Sequence, residues 1–156
     1  MKSAILLRMA AILALLEAVG HTFLFVSYVP KRGEEIAVID AMKRHYFDVG
    51  GFSHSYWEMY FGYGLFTTVS CLIEAGILWQ LAALLKRGVS GIRPMVAVFF
   101  FGEVGYTVLV IKYFFTVPIV SHLTMAALLA GGFMMAKAEP DPKLSSQWET
   151  RCDTCC

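Results

Sequence analysis

Four apolar runs of helix length, at about residues 4–29, 57–85, 94–116 and 118–136, alternate with shorter polar segments along the 156-residue chain. Each is close to the roughly 20 residues that an α-helix needs to cross a hydrocarbon core. The pattern predicts an all-α fold, a four-helix transmembrane bundle. The one long polar connection, residues 31–56, begins with Gly33-Glu34-Glu35 and continues with Ile36, Ile39, Met42 and Phe47 at helical spacing. Acidic residues favour a helix start, so a short interfacial helix is expected between helices 1 and 2, closed by Gly50-Gly51. Ser55-x-x-Glu58 has the capping-box spacing that opens the next span, and Tyr56, Trp57 and Tyr60 fall where an interfacial aromatic belt belongs. Lys86-Arg87-Gly88 closes that span. Arg93-Pro94 and Pro118 then place proline in the tolerated first turns of the third and fourth spans, which should form a close hairpin. Residues 1–137 are thus expected to make one membrane domain, and 138–156 a polar tail with Pro140 and Pro142 and no fold of its own.

Composition supports the membrane and argues against nucleic acid as a partner. Hydrophobic residues make up 58% of the chain and charged residues only 16%, unlike an ordinary soluble domain. Thirteen basic against twelve acidic residues leave no footprint for nucleic acid. Basic residues do indicate orientation: Lys2, Arg8, Lys86, Arg87, Arg93, Lys137, Lys143 and Arg151 fall on one side, Lys31, Arg32, Lys43 and Arg44 on the other. Both termini are expected in the cytoplasm of a bacterial cell, with the spans in its inner membrane. The first run holds Glu17 and is followed by no small-x-small cleavage site, so it reads as a retained span rather than a signal peptide. Cys71 sits in an apolar run, while Cys152, Cys155 and Cys156 crowd the tail. This is no disulfide framework, and a lone C-x-x-C is a weak metal or redox signal; reduced thiols are expected.

The candidate chemistry lies inside the spans. Glu17 and His21 are i and i+4 on the first helix, hence on one face, and an ionisable group at the bilayer centre costs roughly 2.5 kcal/mol or more. Glu74 and Glu103 fall near the middle of spans two and three, and His122 falls in the first turns of span four, on the same outer half as His21. Glu17, His21, Glu74, Glu103 and His122 are therefore the candidate ligand or proton site. Tyr60, Tyr63, Thr67 and Ser70 precede Glu74 at spacings of three or four and are expected to line its cavity. Lys112 is out of phase with Glu103 and near a helix end, where it can snorkel. A desolvated Glu beside an imidazole suits proton exchange or acid–base chemistry, and the same groups also serve as plain interhelical glue. A di-iron centre would need paired Glu-x-x-His motifs, which the spacing lacks, so neither metal nor cofactor is expected. Gly62, Gly64, Gly102, Gly105, Gly131 and Gly132 are read as small-residue helix contacts.

From Gly20-His21-Thr22 through Ala41-Met42-Lys43 to Ser55-Tyr56-Trp57-Glu58-x-Tyr60-x-Gly62-x-Gly64-Leu65 and Trp79-Gln80-Leu81, the first half resembles a group of small bacterial four-helix membrane proteins of uncharacterised function. That likeness implies the topology but no activity. Ala11-Ile12-Leu13-Ala14-x-x-Glu17-x-Val19-Gly20 is similar to the first helix of small multidrug resistance transporters, from which the long first loop and the added Glu74 and Glu103 depart. The residues lead to an expected role in binding a lipophilic or cationic small molecule, coupled to protonation and possible transport. A membrane isomerase, cyclase or hydrolase acting on a lipid or isoprenoid would use the same residues, and an assembly subunit would use none of them chemically. Four helices make a thin wall for a transport path, so a homodimer is expected.

Overall fold

The computed structural model describes residues 2–136. Its order is α1 (Lys2–Val26), α2 (Gly33–Arg44), β1 (Tyr46–Val49), β2 (Phe52–Ser55), α3 (Tyr56–Lys86), α4 (Arg93–Tyr113) and α5 (Thr116–Met135). Four of these helices, α1, α3, α4 and α5, are long and apolar enough to cross a membrane. The chain is a multipass membrane protein built as an α-helical bundle, with α2 as the short helix and β1–β2 as a two-stranded hairpin between the first two spans. The tail and its three cysteines lie outside the described residues.

The connection between α1 and α3 differs from the expected helix closed by Gly50-Gly51. Helix α2 stops at Arg44, and Tyr46-Phe47-Asp48-Val49 pairs antiparallel with Phe52-Ser53-His54-Ser55, Val49 facing Phe52. The reason is local chemistry. Aromatic and β-branched residues favour a strand, and Gly50 and Gly51, at φ +61° and +86°, supply the two left-handed residues of a tight hairpin turn. Phe47, expected on the helical face, is a strand residue whose ring lies 4.9 Å from that of Tyr56. The capping box does form: Ser55 N–H donates to Glu58 Oε2 at 2.7 Å and Glu58 N–H to Ser55 Oγ at 3.2 Å.

The described chain gathers into two compact units, one of residues 2–11 with 77–136, here the terminal unit, and one of Ile12–Gly76, the loop unit. Helices α1 and α3 each contribute to both. In the terminal unit, α3 ends in a left-handed cap, Gly88 at φ +80° with Val89 N–H donating to Leu84 O at 3.2 Å. Helices α4 and α5 follow as a tight hairpin joined by Phe114 and Phe115. Leu7, Leu78, Val96, Met125 and Leu129 are fully buried there, among Ala4, Ala10, Ala11 and Ala82. Small residues let α1 approach α5: Leu7 lies against Gly132, Leu6 against Gly131, and Ser3 Oγ donates to Gly132 O at 2.7 Å. Gly62, Gly102 and Gly105 depart from the expected close contacts, since a Cβ at any of them would meet nothing within 4 Å.

In the loop unit only Ala14, Ala18 and Ser55 are buried. Its α1 and α3 segments meet through rings. Phe25 packs on Gly64 so closely that a Cβ there would overlap the ring, and its centroid lies 5.3 Å from Phe61 and 5.5 Å from Tyr60. Around both units large apolar side chains stand exposed, among them Phe23, Phe66, Val98 and Met134, as spans facing lipid require.

Candidate functional site

Glu103 stands in the middle of α4, ten residues from either end, and the short α4–α5 connection carries α5 back alongside it. Glu103 is 2% exposed, and its Oε2 lies 2.8 Å from Nδ1 of His122 on α5. Either partner can hold the proton: an imidazole N–H donating to a carboxylate, or a carboxylic acid donating to a neutral ring. The surroundings fix the pair in place. Tyr106, one turn from Glu103, stacks on the imidazole with centroids 5.5 Å apart and planes 19° from parallel. Thr107 is buried, and its Oγ1 donates to the Glu103 carbonyl at 2.7 Å.

The loop unit holds the other candidate residues. His21 Nε2 lies 3.1 Å from Gly64 O, and because a carbonyl only accepts, the proton sits on Nε2. Its ring stacks on Phe25 at 5.5 Å. One residue on, Thr22 Oγ1 donates to Ala18 O at 2.7 Å and meets Thr68 Oγ1 at 2.8 Å, so Thr68 is the donor of that second bond. Glu17 and Glu74 are both half-buried in this unit. Of the stripe on α3, Tyr60, Tyr63, Thr67 and Ser70 are all exposed. Tyr63 borders an open recess of about 520 Å³ whose other walls are His54, Glu58, Met59, Gly62 and Phe66. Glu103 with His122 and Glu17 with His21 and Glu74 thus belong to different units, and an acid–imidazole bond joins α4 to α5.

Tyr106, Thr107 and Phe25 were not singled out by the residue pattern. A signal for the first two was present, because positions three and four after Glu103 share its helix face. Phe25 carried none, since a phenylalanine in an apolar run has no distinguishing neighbour in sequence. Outside the spans, Tyr28 Oη donates to Glu35 Oε2 at 3.0 Å, and this bond to a carboxylate raises the phenol above its ordinary pKa. Among the described residues, no group of three or more His, Cys, Asp or Glu side chains is arranged to hold a metal ion. Lys112 lies in the last turn of α4, with Nζ 5.1 Å from the centroid of the Tyr113 ring.

Compared with protein-family models, curated proteins and solved structures, the chain matches none.

Proposed function

We propose that this membrane protein binds a lipophilic or cationic small molecule and couples its binding to proton exchange at Glu103 and His122. The observation that carries the reading is a carboxyl group 2% exposed and 2.8 Å from an imidazole, within two apolar helices. Net charge is costly at that depth. A carboxylic acid with a neutral imidazole and a carboxylate with an imidazolium are both neutral overall, so the pair holds one exchangeable proton without violating that constraint. A cation arriving at the Glu103 carboxylate can take the place of that proton, and charge balance then requires the proton to leave. The apolar walls of α4 and α5 favour a cation that carries its own hydrophobic surface.

Tetraphenylphosphonium is a suitable probe. Added to the detergent-solubilised protein in weak buffer, it should release about one proton per bound cation, the stoichiometry that neutrality in hydrocarbon demands. Glu103→Gln keeps the shape and a hydrogen bond but has no proton to exchange, and should abolish the release. Absence of binding, or binding with an unchanged pH, would sink the reading and leave the pair as an interhelical hydrogen bond.

A further inference from the structure

The hairpin and the start of α3 meet in the open recess of about 520 Å³, within the size range of small-molecule sites, and the sequence builds it locally. Glu58, Met59, Gly62, Tyr63 and Phe66 line it at helical spacing, so they share one face of α3. Strand pairing of His54 with Phe47 holds the imidazole beside that face, and the Ser55/Glu58 capping box fixes the hairpin to the helix. Gly62 leaves the floor open, since a Cβ there would meet nothing within 4 Å. All of these residues belong to the loop unit.

Depth decides what can occupy the recess. Helix α3 has 31 residues, about 46 Å at 1.5 Å per residue, against a hydrocarbon core about 30 Å thick. About five residues at each end therefore stand at headgroup level, which puts Glu58 and Met59 among headgroups and Tyr63 and Phe66 at the top of the acyl chains. An occupant must be polar at one end and apolar at the other. At the polar end Ser55 donates its N–H and its Oγ–H to Glu58 Oε2, at 2.7 and 3.1 Å, and His54 Nδ1 lies 3.7 Å from the same oxygen. Two donors on one oxygen mark an acceptor-only carboxylate, and none of these contacts engages Oε1. The His54 and Glu58 side chains are both 55% exposed, so a ligand reaches them. A carboxylate is complemented by an ammonium and an imidazole N–H by a phosphate, so the pair together complements a zwitterion. The exposed side chains of Met59, Tyr63 and Phe66 supply the apolar end.

We propose that this recess seats the headgroup of a zwitterionic phospholipid with a primary ammonium, phosphatidylethanolamine, its ammonium on Glu58 Oε1, its phosphate beside His54 and an acyl chain along Met59, Tyr63 and Phe66. A primary ammonium donates N–H bonds to a carboxylate, which a quaternary ammonium cannot do. The site shares no residue with Glu103 and His122.

Native mass spectrometry of the full chain in neutral detergent, offered equal phosphatidylethanolamine and phosphatidylcholine with the same acyl chains, tests the proposal. The wild-type protein should retain phosphatidylethanolamine about fivefold over phosphatidylcholine, the upper end of what one exposed charged contact supplies. Glu58→Gln preserves the capping box, which accepts either residue, and should remove that preference. Gly62→Leu fills the open floor and should cut retention of phosphatidylethanolamine by about the same factor, while Glu34→Gln, outside the recess, should change nothing. Equal retention of the two lipids by the wild-type protein would overturn the site without reference to any variant. So would a preference that survives Glu58→Gln, or one lost equally in Glu34→Gln, since either makes the attraction diffuse. Retention unmoved by Gly62→Leu would overturn the recess as the seat, and soluble phosphoethanolamine binding as tightly as the lipid would overturn the lipid assignment.

Discussion

The terminal unit buries a row of aliphatic and small side chains, whereas the loop unit buries almost nothing and is held by rings and polar bonds. In the first, Ala4, Leu7 and Ala11 recur on one face of α1, and Leu78, Val96, Met125 and Leu129 complete an interior with Glu103 as its one acid. In the second, Phe25 on Gly64, Tyr60 and Phe61, His21 on the Gly64 carbonyl and Thr22 with Thr68 join α1 to α3. The difference teaches how helices associate where apolar burial has no driving force. Lipid is as apolar as leucine, so only close packing and hydrogen bonds can discriminate protein from lipid. The terminal unit uses mostly the first, and the loop unit concentrates both on one glycine.

That concentration makes Gly64 the place where the comparison breaks most easily. Gly64→Ala puts a methyl group into the Phe25 ring, and overpacking of this kind costs about 1–3 kcal/mol. Gly132→Ala in the terminal unit meets Leu7 Cδ2 at 3.2 Å, a flexible methyl that needs to yield only a few tenths of an ångström. Its loss should be under about 1 kcal/mol. Unfolding in mixed micelles should rank the two in that order, and Phe25→Leu combined with Gly64→Ala should recover most of the larger loss. Equal losses, or no recovery, would show that the loop unit does not depend on that contact.

A smaller effect tests the polar side of the terminal unit. Glu103→Gln, His122→Asn and their combination form a double-mutant cycle, with a coupling expected at about 1 kcal/mol, typical of hydrogen bonds between membrane helices. A coupling of zero would mean that the bond contributes nothing beyond its two separate residues, and the contrast with the loop unit would rest on packing alone.

The spans and their caps were legible because they are written locally: run length, Pro94, Gly88 and the Ser55/Glu58 box each state their own structure. The hairpin was legible in principle. Gly50-Gly51 between Tyr46–Val49 and Phe52–Ser55 is a turn signal, but helical spacing through Ile36, Ile39 and Met42 extends in register to Phe47 and hides the change of period. Glu103 and His122 stood out as ionisable residues in apolar runs. Their pairing did not, because the phase of one helix against another depends on small-residue contacts, and the sequence offered six candidate glycines of which Gly64, Gly131 and Gly132 receive a neighbour.

The smallest effect lies outside the spans, where the loop unit's polar contacts meet water. Tyr28 donates to Glu35, whose Oε2 also receives the Lys31 N–H at 3.3 Å and whose Oε1 is 3.8 Å from Arg32 Nε. The phenol is raised chiefly by its bond to the Glu35 carboxylate, with burial and the charge of Glu35 adding to it and Arg32 opposing. A raised folded-state pKa means that the contact contributes in full below the ordinary tyrosine value, about 10, and is lost as pH rises through the higher folded value. Tyr28 is 59% exposed, so the loss should be confined to this connection and leave global unfolding unmoved. Ring-carbon NMR of labelled tyrosine should find Tyr28 titrating later than a free phenol, and Glu35→Gln should bring it back toward the ordinary value. If Glu35→Gln leaves the titration where it was, the carboxylate is not the cause, and the link between the end of α1 and the start of α2 must rest on the Lys31 backbone.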